Sequence, residues 1–122
     1  ADDAQTVGRL IDALSAAIER HRGTPRRIRP SAAWTVRADA ALDPREAFFA
    51  PHETVPAADA VGKVCAELIA PYPPGVPVLA PGEIVTVAAL DALTTTRAEG
   101  GRIAYAADPT LATIQVVSAP VE

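Results

Sequence analysis

Near the start of the chain, Val7, Leu10, Ile11, Leu14 and Ile18 recur three, four and seven positions apart. This spacing places them on one face of an amphipathic helix, with Arg9, Asp12, Glu19 and Arg20 on the other faces. Asp2 or Asp3 can cap its start, and Gly23 followed by Pro25 should stop it. Ala33-Trp34-Thr35-Val36-Arg37 alternates like a strand, with Trp34 as an anchor in the core or at a domain interface. Asp43-Pro44-Arg45-Glu46 reads as a capped helical turn carrying Phe48 and Phe49, which are expected to bury against the body or a neighbouring domain. Pro56 can open a second helix with Val61, Val64, Cys65 and Leu68 as its stripe. Glu67 on that helix is expected to form a surface pair with Lys63. Thr86 can cap a third helix with Val87, Leu90 and Leu93 on one face, and Gly100-Gly101 should end it. Ile103-Ala104-Tyr105 and Thr113 to Val117 read as strands about the Asp108-Pro109 turn, able to pair as a hairpin-like unit. The tail after them should fray. The elements follow no βαβ period, so the expected class is α+β: a small mixed or antiparallel sheet with two or three helices on one face.

Between the second and third helices the pattern changes. Residues 70–83 contain five prolines and two glycines, a composition incompatible with a helix and poor for a central strand. Pro74-Gly75 and Pro81-Gly82 suit the middle positions of type II turns. The two turns should bracket a short extended piece, Val76 to Ala80, with Tyr72 just before the first and Glu83 just after the second.

Composition sharpens the picture in a few places. A chain of 122 residues can bury a core as one domain. Aromatics make up only 4% of it, so that core must come from small and branched side chains. The net charge of −4 argues against nucleic-acid binding, although Arg26, Arg27 and Arg29 form a small basic cluster suited to a solvated turn or an anion contact. One cysteine, Cys65, leaves no intramolecular disulfide and fits a reducing compartment such as the cytoplasm. No apolar run approaches the roughly 20 residues that span a membrane, and no secretory signal is expected. The absence of methionine fits an excised piece or a removed initiator equally.

Tyr72-Pro73-Pro74-Gly75-Val76-Pro77, then Pro81-Gly82-Glu83, then Thr86 resemble the signature of the C-terminal domain of the ornithine/lysine/arginine decarboxylases. The resemblance extends upstream through residues 43–50, Glu53, Val55, residues 60–64 and Ala66-Glu67. It implies a single C-terminal domain over residues 1–122, with 1–42 open between this unit and the preceding small domain. It also implies a parent enzyme of the aspartate-aminotransferase-like fold that uses pyridoxal phosphate. That enzyme would release CO2 from a basic amino acid, working as a homo-oligomer. The domain's partners would be the catalytic core domains of the same polypeptide, where it helps wall the approach to the active site.

The residues themselves argue against chemistry in this chain. Such an enzyme needs a lysine that binds the cofactor covalently and a phosphate cradle. The one lysine here, Lys63, falls outside any Ser-x-His-Lys pattern, and no glycine-rich phosphate loop is present. His52 and Glu53 alone make no metal site, and no hydrolase or redox motif occurs. Cys65 lies on an apolar stripe, which suits a small buried hydrophobe. No catalytic, cofactor-binding or metal-binding residue is therefore expected. A carboxylate on a rigid turn suits a cationic substrate, which makes Glu83 the first candidate for the substrate approach or an interface, followed by Tyr72 and Glu53. The alternative is a free-standing binding module without catalytic activity.

Overall fold

The computed structural model describes residues 3–23 and 32–118. The Arg26/Arg27/Arg29 cluster and the tail lie outside the described residues. In chain order the elements are α1 (Ala4–Arg20), a 3-10 turn (Ala32–Trp34), α2 (Pro44–Phe49), β1 (His52–Pro56), α3 (Ala57–Ala60), β2 (Ala70–Tyr72), α4 (Val87–Ala98), β3 (Arg102–Ala104) and β4 (Thr113–Val117). The class is α+β, with antiparallel pairing in two small sheets.

Local chemistry explains the helix starts. Thr6 N–H donates to Asp3 Oδ1 at 2.8 Å, Arg45 N–H to Asp43 Oδ1 at 2.9 Å, and Ala89 N–H to Thr86 Oγ1 at 3.1 Å. Each satisfies a first-turn donor that has no partner within its helix. α4 ends before Gly100, whose φ of +92° favours glycine. Its core-facing residues are Ala89, Ala92 and Leu93, with Leu90 partly buried and Val87 in solvent. The expected Val87–Leu90–Leu93 face is thus rotated.

β1 pairs with β4 from His52↔Val117 to Pro56↔Thr113, and β2 pairs with β3 from Ala70↔Ala104 to Tyr72↔Arg102. The expected β3–β4 hairpin does not form: a turn at 108–111 separates the two strands, and each finds a distant partner. The second helix is also cut short, to Ala57–Ala60. Gly62 at φ +84° turns the chain, and the residues after it run extended. Ala66 N–H donates to Gln115 O and Val117 N–H to Val64 O on one side. On the other side, Cys65 N–H donates to Glu83 O and Val85 N–H to Lys63 O. Long-range backbone pairing therefore overrides a fortuitous helical spacing, and Val61 is left exposed. The 33–37 strand is replaced by the 3-10 turn and irregular chain, with Trp34 in solvent. Further bridges join Ala40 to Glu83, so the segments around 40, 84, 65 and 116 lie side by side as a ladder that ends at β1.

The core sits against this ladder. Ile69, Leu79, Val85, Leu93, Ile114 and Val116 are its largest fully buried aliphatic side chains. Burying each stabilises the fold by about 1.5–3 kcal/mol before the entropy of ordering is counted. No aromatic ring takes part. Trp34, Phe48, Phe49, Tyr72 and Tyr105 are all the aromatics of the chain, and they are 52–72% exposed. α1 buries nothing: Val7, Leu10, Ile11, Leu14 and Ile18 are 47–60% exposed along its apolar face.

Candidate functional site

The proline-rich stretch folds into two different turns. At the second, Glu83 N–H donates to Ala80 O at 3.1 Å around Pro81-Gly82, with Gly82 at φ +93°. This is the expected type II turn. Glu83 then reaches back, and Ala80 N–H donates to its Oε2 at 2.8 Å. At the first turn, Gly75 N–H donates to Pro71 O at 3.0 Å, one residue further back than a β-turn, and the Tyr72–Pro73 and Pro73–Pro74 peptides are cis. The expected type II turn at Pro74-Gly75 is replaced by this wider turn. Tyr72 projects beside it with the Arg102 guanidinium 5.6 Å from the ring centroid, as their cross-strand pairing requires.

Glu53, on β1, accepts from Lys63 Nζ at 3.0 Å. Both groups are well exposed, so the pair is worth at most about 1 kcal/mol. Glu53, Tyr72 and Glu83 lie on separate segments. Glu83 lines an open cleft of about 380 Å3 together with Arg37 and Asp39, and Tyr72 and Glu53 line neither this cleft nor the larger one.

The larger cleft, about 480 Å3, is bordered by Phe48 and Tyr105. At its floor is Glu67, the one buried charged side chain among the described residues. Ala107 N–H donates to its Oε2 at 2.6 Å and Gln115 N–H to its Oε1 at 2.7 Å. These two charge-assisted bonds tie together segments 40 and 48 residues apart. The expected Glu67–Lys63 surface pair is replaced by this buried arrangement. A usable signal was present in the sequence: Glu67 is a lone carboxylate inside the apolar run 64–70.

Cys65 is buried as expected. Its Sγ–H donates to Glu67 O at 3.1 Å. Burial, assisted by the nearby Glu67 and Glu83 charges, pushes the thiol up to about 11, so it is neither a nucleophile nor a ready metal ligand at neutral pH. Among the described residues, no three His, Cys, Asp or Glu side chains converge to hold a metal ion. No helix among them is long and apolar enough to cross a membrane.

The model of the Orn/Lys/Arg decarboxylase C-terminal domain matches residues 30–101. The chain belongs to that family. An arginine decarboxylase from Halalkalibacterium halodurans is 42% identical over 77 residues, which are 63% of this chain and 16% of that enzyme. The constitutive lysine decarboxylase of Escherichia coli is 56% identical over 34 residues, 28% of this chain and 5% of that protein. The solved structure of that lysine decarboxylase superposes with a TM-score of 0.56 at 28% identity, over 71% of this chain and 14% of its own. A lysine decarboxylase from Francisella novicida gives 0.54 at 28% identity, over 70% and 14%. The decarboxylase domain thus spans no more than 16% of these relatives' length. Its signature residues have structural work to do: Gly82 leaves no room for a Cβ beside the Leu42 carbonyl, and Glu83 closes its own turn.

Proposed function

We propose that this chain is the non-catalytic C-terminal domain of a pyridoxal-phosphate-dependent ornithine/lysine/arginine decarboxylase. In that reading it packs on the catalytic core of a cytoplasmic homo-oligomer and helps wall the approach to the active site. The whole enzyme would release CO2 from a basic amino acid to give a diamine or polyamine precursor. The observation that carries the reading is the extent of the match: a C-terminal domain model, met by relatives more than six times as long as the stretch they share with this chain. The exposure of every aromatic ring supports it, because a free-standing module would leave all of them in water. The bare apolar stripe of α1 supports assigning that helix to contact with the preceding domain, whereas residues 39–42 pair within this one.

Pyridoxal phosphate does not fit the described residues of this chain. Lys63 is held by Glu53 and lines neither cleft, and both rims lack a glycine-rich turn that could cradle a phosphate. The cofactor belongs in this reading to the core domains. Glu83, Tyr72 and Glu53 are proposed as contacts at the approach or the domain interface, with Glu83 foremost because its turn fixes its position. The test is an absorbance titration with pyridoxal phosphate together with CO2 release from ornithine, lysine and arginine. The full-length polypeptide is expected to bind saturably and turn over, and the 122-residue chain to do neither. Turnover by the short chain, or none by the full-length polypeptide with any of the three, overturns the proposal.

A further inference from the structure

We propose that the cleft between Phe48 and Tyr105 receives an apolar side chain from the rest of the same polypeptide. This rests on the reading of the chain as one domain of a longer decarboxylase. The lining mixes apolar and polar side chains, with hydrocarbon predominant, as docking surfaces do. Phe48, Leu68 and Tyr105 supply hydrocarbon, and His52 stands at the border with Nδ1 3.3 Å from Ala50 O. The carboxylate at the floor is held in place and largely covered. Both Glu67 oxygens accept from backbone N–H groups and the residue is only 6% exposed, so little of it is open to an occupant.

The placement of the rings shows what kind of cover is missing. Tyr105 sits at φ +68°, a backbone conformation that a bulky L-residue adopts only against steric resistance. The large ring stands outward, 71% exposed, instead of in the core. Phe48 stands on the opposite border, its ring 5.2 Å edge-on from Phe49, which carries the row of aromatics further along the surface. Each ring covers about 150–250 Å2 when buried. Phe48, Phe49 and Tyr105 are 57–72% exposed, so a cover would bury roughly 300–500 Å2 more on them, a large share of the roughly 600 Å2 at which interdomain interfaces begin. The relatives carry more than five-sixths of their length outside the matched region, so the same polypeptide has ample surface to supply the cover.

The test uses the full-length polypeptide with Tyr105→Cys and, separately, Phe48→Cys. Alkylation at the new thiol is followed by peptide mass spectrometry in the native protein and in guanidinium. Cys65 gives little native background, since its thiol is buried. Protection of at least about tenfold relative to the denatured protein is expected at both positions, unchanged on dilution to dissociated subunits. Equal native and denatured rates overturn the proposal. Protection lost on dilution overturns it too, and assigns the cleft to a neighbouring subunit. CO2 release measured on the same samples separates the two claims. Turnover with an unprotected cleft removes this inference alone, and protection without turnover removes the decarboxylase reading alone.

Discussion

Two Pro-Gly pairs seven residues apart look interchangeable in the sequence and behave as opposites in the fold. Pro74-Gly75 stands at the surface, tied among the described residues by the Gly75 N–H bond to Pro71 O, and a Cβ at Gly75 would meet the edge of the Tyr72 ring at 3.4 Å. Pro81-Gly82 lies inside the ladder. Gly82 O accepts from both Ala41 and Leu42, Gly82 N–H donates to Cys65 O, and a Cβ there would collide with the Leu42 carbonyl. A turn dipeptide thus states a local backbone shape. What the turn is for depends on the segments that come to rest against it.

The comparison can be broken most directly by Gly82→Ala. The left-handed backbone costs about 1–2 kcal/mol for an L-residue, and moving the Leu42 segment away puts two hydrogen bonds at risk. A loss of about 3–5 kcal/mol is expected by denaturant titration. Glu83→Ala should cost about 1.5–3 kcal/mol by the same measurement, because Ala80 N–H loses a charged acceptor in a partly buried place. Gly75→Ala should cost only about 1 kcal/mol, the left-handed penalty without a backbone clash. Equal costs at the two glycines would contradict the distinction between them.

The turn at 108–111 sharpens the contrast at the lower end of the scale. Asp108 is half-buried, and its carboxyl is lowered to about 2, chiefly by the Thr110 hydroxyl and then by the Thr110 and Thr113 N–H groups. Its folded value lies below the unfolded one, so its contribution is complete above about pH 4 and is lost as the pH falls toward 2. Acid titration of Asp108→Asn should show a shallower fall in stability across that window than the parent chain.

The caps and turns were legible because they depend on neighbours in sequence. Asp3, Asp43 and Thr86 start helices, Pro81-Gly82 makes its turn, and β4 spans Thr113–Val117 as its alternation predicts. The pairings were not legible. β3 chose β2 and not β4, because contacts between segments far apart in sequence leave no local mark. Residues 61–68 carry helical spacing, yet backbone ladders on both sides hold them extended. Of the proposed contact residues, Glu83 was readable as a carboxylate fixed by its turn. The cleft beside it in importance was not, because Phe48 and Tyr105 are 57 residues apart and meet only through the fold.

The aliphatic core has an optical consequence. Trp34 is the only indole and stands in solvent, as do both phenols. Emission from this domain alone should therefore change little when it unfolds, since the fluorophore passes from one aqueous setting to another. In the longer polypeptide the same indole becomes a reporter of contact: a blue shift on joining the domain to its neighbours would register their arrival at Trp34, independent of whether the interior has formed.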